Sequence, residues 1–192
     1  KMKPPSANQM KWLNEYFWKC SFSERFASAV ESKYDEDIKK IQDIIKGVKP
    51  TYGPDFKSKF TKEEVKWLKF STARAFCKAV LSILASKGPE SFRTGLPVKL
   101  DNQWLQTSTT KNFHHFFPKH FLEINDVPEE HQNLMANITF QGDHDNKGEY
   151  SDKPPSQYIR ECEQENPNIE QTLSKHLIGD LQDFGILDDN YE

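Results

Sequence analysis

Up to about residue 93 the apolar side chains recur at helical spacing; beyond it they break into short runs between polar loops. Residues 7 to 19 place Met10, Leu13 and Phe17, with Trp12 and Tyr16, on one wide apolar face, and Ser6 stands where an N-cap belongs. Ser21 and Ser23 lie where a second helix could begin, carrying Phe26, Ala27 and Val30. Tyr34 to Lys46 sets Ile38, Ile41, Ile44 and Ile45 on one face, and Gly47 ends it. Pro50 and Gly53-Pro54 mark a loop. Thr61-Lys62-Glu63-Glu64 is a capping box opening a long helix through Val65, Leu68, Phe76, Val80 and Leu84, which Gly88-Pro89 closes.

After that the pattern predicts short elements. Residues 91 to 113 read as loops and short strands, with Phe113-His114 ending a strand. Leu134 to Phe140 is a second strand, and Asp143 to Gly148 a short helical turn. Pro154-Pro155 opens a helix carrying Tyr158, Ile159 and Cys162, and Asn168 to Phe184 forms the last. The expected class is α+β and mainly helical. A helical bundle over residues 1–93 precedes a small α+β part over 94–192.

Composition adds limits. The 192 residues suffice for one domain with a proper core or two small ones. Hydrophobic residues are 35% of the chain, but 14 Phe and 4 Trp supply large buried area each, so the chain reads as folded. The net charge of −3 carries no global basic signature, so any nucleic-acid contact must be local. Cys20, Cys77 and Cys162 are far apart and without a C-x-x-C pair, which reads as reduced thiols in a cytoplasmic protein. No signal peptide or long apolar run appears, so no membrane span is expected. The opening Lys1-Met2-Lys3-Pro4-Pro5 reads as the start of a fragment.

Candidate chemistry concentrates late in the chain. His114, His115, His120 and His131 are four of the six histidines. Neighbours on a strand point to opposite faces, so His114 and His115 serve one site only if the strand ends there and turns; Pro118 permits that. Phosphodiester hydrolysis needs a divalent ion and a base active near neutral pH, which histidine supplies. A third group must orient the imidazole.

His114-His115-Phe116-Phe117-Pro118, then Asn137-Ile138-Thr139, Asn146-Lys147 and Lys153-Pro154-Pro155-Ser156-Gln157-Tyr158-Ile159, resembles the C-terminal nuclease domain of GmrSD-type modification-dependent restriction enzymes. Tyr16-Phe17-Trp18, Phe22-Ser23-Glu24-Arg25-Phe26 and Asp35-Glu36-Asp37-Ile38 resemble the helical region before it. The resemblance implies a ββα-metal (His-Me finger, HNH) endonuclease over residues 94–192. It implies His115 as general base, Asn137 as the residue orienting loop and base, and His114 and Asn146 as metal ligands. Asp143 or Asp145 could add a charged ligand, and Lys147 could contact a DNA phosphate. The ion would be Mg²⁺ or Mn²⁺, with Ni²⁺ or Zn²⁺ also suited to a His ligand. The partners implied are DNA, possibly modified, and an N-terminal NTPase domain of a longer protein; this chain has no G-x-x-x-x-G-K-[ST] loop. The role implied is restriction of phage DNA.

Plainer readings stand beside these. A His pair taken alone is usually structural. Asn137 could be a turn residue, and Asn146-Lys147-Gly148 a helix C-cap. Phe113, Phe116 and Phe117 read as core. Lys57, Lys59, Lys62, Lys66 and Lys69 read as a solvated face before a DNA track. Arg25 beside Glu24 reads as a structural ion pair or packing anchor. A degenerate DNA-binding or interdomain docking module is the alternative function.

Overall fold

The computed structural model describes residues 4–100, 113–142, 150 and 153–191. The chain forms two compact units: Lys1–Val65 with Thr72–Ala79, and Lys66–Ser71 with Val80–Glu192. The class is α+β: helices and, among the described residues, one two-stranded antiparallel sheet.

In the first unit, α1 (Ala7–Phe22) starts at a complete capping box. Ser6 Oγ accepts from the Gln9 amide, and Gln9 Oε1 accepts from the Ser6 amide. Gln9 also donates to the carbonyls of Ile44 and Ile45, at 3.0 and 2.9 Å. These are orphan acceptors at the end of α2 (Tyr34–Ile45), so one side chain starts one helix and finishes another. α1 runs on through Phe22, and no second helix forms at 23–30. Glu24 and Ala29 adopt φ of 51° and 49°, a left-handed backbone that a helix cannot hold. The turn buries the Arg25 side chain against Asp37, Glu36, Asp55 and the Phe56 ring, while Glu24 faces Lys59 and Arg74. The two neighbours therefore do not pair with each other.

The helix expected from Thr61 to Leu84 is split. Its capping box forms, with Glu64 Oε2 2.8 Å from the Thr61 amide, but α3 (Lys62–Lys66) has only 5 residues. Residues 68–70 are extended instead. Lys69 bridges Leu134, the Phe70 amide donates to Asn133 O at 2.8 Å, and the Met135 amide to Leu68 O at 2.7 Å. Helix resumes as α4 (Ala75–Ser86). Non-local backbone pairing outweighs the small intrinsic preference for continuing a helix.

In the second unit, β1 (Phe113–His115) pairs antiparallel with β2 (Ile138–Phe140), so that His114 faces Thr139 and His115 faces Ile138. Between them lies α5 (Lys119–Ile124). α6 (Pro155–Glu165) opens on the second proline of its pair, where a missing amide costs nothing. The last helix, α7 (Ile169–Lys175), is shorter than its apolar spacing suggests, because Leu177 at φ 62° turns the chain away. Phe92, Phe116, Phe117, Leu122, Tyr158 and Ile159 form the centre of this unit's core.

A buried polar chain ties α7 to the sheet. His176 Nε2 lies 2.7 Å from the Glu90 carbonyl oxygen and 3.3 Å from the Glu90 amide nitrogen, and the shorter contact assigns a proton to Nε2. Nδ1 therefore accepts from the Thr139 hydroxyl, at 2.6 Å. Burial pushes the His176 pKa down to about 4. The unfolded chain binds this proton near pH 6.5 and the folded chain resists it, so His176 lowers stability as pH falls from roughly 6.5 to 4. The expected loss is about 3 kcal/mol over that window. Urea unfolding at several pH values, compared with His176→Gln, checks this; equal acid sensitivity in both proteins would refute it.

Candidate active site

β1 ends at His115, where Phe116 and Phe117 are redirected by three bonds to one residue. The Phe116 amide donates to Asn137 O at 2.9 Å. The Phe117 amide donates to Asn137 Oδ1 at 2.7 Å, and Asn137 Nδ2 donates back to Phe117 O at 2.9 Å. Asn137 is buried, so both ends of its amide are used where an unmade bond would cost most. The Phe116 carbonyl is held in turn by the Tyr158 hydroxyl at 2.6 Å. The backbone after His115 is thus clamped from the turn that precedes β2 and from α6.

His115 itself is half-buried. Its Nε2 lies 2.8 Å from Asn133 Oδ1. Asn133 Nδ2 points the other way and donates to Phe70 O at 3.4 Å. That orientation leaves only an acceptor facing the ring, so Nε2 carries the proton and Nδ1 the lone pair. Burial lowers the His115 pKa, the Asn133 bond opposes that, and the charge of Lys119 lowers it further; the net direction is down. The ring is therefore neutral at pH 7, with one nitrogen available as a base.

Asn133 was not singled out by sequence, because nothing local marks an Asn at the end of a loop. Its role comes from the extended 68–70 segment that fixes its amide. Replacing Asn133 by Asp puts a carboxylate beside Nε2–H and is expected to raise the His115 pKa; Ala is expected to lower it. NMR titration of His115 in the three proteins tests this, and no movement in either variant would remove Asn133 from the site.

The other histidine of the pair goes elsewhere. His114 is 2% exposed, with its ring among those of Phe92, Tyr150 and Tyr158, at centroid distances of 6.0, 5.5 and 6.1 Å. His115 and Asn137 are brought together by direct backbone bonding of the loop; His114 lies on the opposite face of β1 from His115. Asp143, Asp145, Asn146 and Lys147 lie outside the described residues. Among the described residues no group of three or more His, Cys, Asp or Glu is arranged to hold a metal ion. Of the expected ligands only His114 can be located. His120 is exposed, and His131 packs on Trp67 at 4.8 Å.

Comparison with known proteins finds a distant relative. An uncharacterized protein of Methanocaldococcus jannaschii is 27% identical over 162 residues. The match covers 79% of this chain and 25% of the relative, so the chain corresponds to about a quarter of that protein's length. No family model matches the chain, and no solved structure does. Among the described residues no helix is long and apolar enough to cross a membrane.

Proposed function

We propose that this chain is a metal-dependent endonuclease of the His-Me finger type, acting on DNA phosphodiester bonds within a restriction or phage-defence protein. The observation that carries the reading is His115 at the end of β1, neutral, with Nε2–H committed to Asn133 and the following loop clamped by Asn137. The order along the chain supports the reading: a strand-end histidine, a turn ahead of the second strand that holds its loop, and α6 later in the chain.

In this reading His115 Nδ1 accepts a proton from a water that attacks the phosphorus in line with the leaving 3′ oxygen. Asn133 holds the ring in the tautomer that leaves Nδ1 basic. Asn137 fixes where the loop carries the ring. A divalent ion, with His114 and Asn146 as its proposed ligands, would supply neutralisation of charge on the phosphate and leaving oxygen. His114 lies among aromatic rings on the face of β1 opposite His115.

Plasmid nicking with Mg²⁺, Mn²⁺, Ni²⁺ or Zn²⁺, run on the parent chain and on His115→Ala, tests the reading. No nicking by the parent with any of these ions, alone or within the longer protein supplied with NTP, overturns it.

A further inference from the structure

Beside the proposed base lies a polar cleft of about 450 Å³, lined by Lys69, Lys119, Glu123, Glu129, Gln132 and Asn133. All six belong to the second unit. Three separate parts of the chain meet there: the extended 68–70 segment, α5 directly after the clamped loop, and the 129–133 turn. Asn133 belongs to both places, since its side chain lines the cleft and also bonds His115 Nε2.

We propose that this cleft receives the phosphodiester backbone of a nucleic-acid strand, with Lys69 and Lys119 as its phosphate contacts. The inference rests on the nuclease reading for its substrate class, and it names phosphate contacts within the described part of the chain. Lys69 and Lys119 are both exposed, and each can set a compact ammonium charge against a phosphate oxygen. Gln132 Nε2 donates to Val127 O and Asn133 Nδ2 to Phe70 O, so each amide has one further N–H to offer a phosphate oxygen. Lys119 lies close enough for its charge to act on the His115 ring. A phosphate on Lys119 would offset the charge of Lys119 at the ring. The basic run from Lys57 to Lys69 acquires a specific use at one member only, Lys69.

Glu123 and Glu129 sharpen the test, because they line the same cleft with the opposite sign. Their charges repel a phosphate chain, so removing them must tighten binding if the cleft takes one. A cleft built instead for a cation would respond the other way.

The experiment measures binding of fluorescein-labelled DNA, single-stranded and duplex, to His115→Ala protein across a salt series, so that cleavage does not interfere. Adding Lys69→Gln with Lys119→Gln is expected to weaken binding and to reduce the slope of log Kobs against log salt by about 2, roughly one per phosphate contact. Glu123→Gln with Glu129→Gln is expected to tighten it. Lys11→Gln with Lys39→Gln makes the same net charge change outside the cleft and is expected to leave the slope unchanged. Circular dichroism and melting verify that each variant folds. Absence of DNA binding, an unchanged slope in the cleft-lysine variant, an equal drop in the control, or weaker binding in the glutamate variant each overturn the proposal. Failure of the nuclease reading shows separately, as absence of nicking by a parent chain that still binds through the cleft.

Discussion

On the proposed nuclease reading, His115→Ala is expected to lower DNA nicking by about 10²- to 10⁴-fold while leaving the protein folded, the range lost when a positioned general base is removed. The two parts of this result have different causes. The activity loss would follow from removing the ring whose Nε2–H is committed to Asn133 and whose Nδ1 is the proposed base. The small stability change follows from what the ring gives up: it is half-buried and its side-chain bond to Asn133 is of the kind worth about 1 kcal/mol. His114→Ala makes the contrast. That ring is 2% exposed among three others, and truncating a buried ring leaves a cavity costing roughly 3–5 kcal/mol. Lost activity in His114→Ala therefore has to be read together with a melting curve, whereas His115→Ala can be read directly. Nicking by His115→Ala at the parent rate would dismiss His115 as the base.

Arg25→Met should destabilise the first unit by about 3–5 kcal/mol, because it leaves a buried carboxylate without its cation. Arg25 Nε lies 2.9 Å from both oxygens of Asp37, and the two side chains are only 1% and 7% exposed. The guanidinium carbon sits 4.0 Å from the centre of the Phe56 ring. After the substitution Asp37 retains the Tyr16 hydroxyl at 3.0 Å, which satisfies one lone pair but not the charge. Glu36 and Asp55 also reach Arg25, but their side chains are 46% and 52% exposed. Exposed partners of this kind contribute about 0–1 kcal/mol, so Asp55→Ala should cost little. Adding Asp37→Asn to Arg25→Met removes the stranded charge and should recover much of the loss. Urea unfolding of the parent, the two single variants and the double variant measures all three values. A loss in Asp55→Ala as large as that in Arg25→Met would mean that exposure does not govern this network.

Local order was legible in the chain wherever its cause was local. Ser6 with Gln9, Thr61 with Glu64, Gly47 after α2 and Pro154-Pro155 before α6 act within a few residues, and each caps or ends its helix where the spacing puts it. The opposite facing of His114 and His115 also follows from the two-residue period of a strand. Tertiary structure decided what no neighbouring residue encodes. Residues 68–70 left a good helical pattern because Asn133, Leu134 and Met135 offered backbone partners from far along the chain. That exchange also turned the Asn133 amide toward His115, and so selected the nitrogen of the ring that is left basic. Arg25 found its carboxylates on α2 and at Asp55 rather than beside it at Glu24, since a buried guanidinium needs several acceptors placed around its plane. Sequence alone thus determined the class of the fold and the caps, and it named His115 as a candidate base. The partner that sets the base's tautomer, and the face on which its neighbour is buried, depended on contacts between residues distant in the chain.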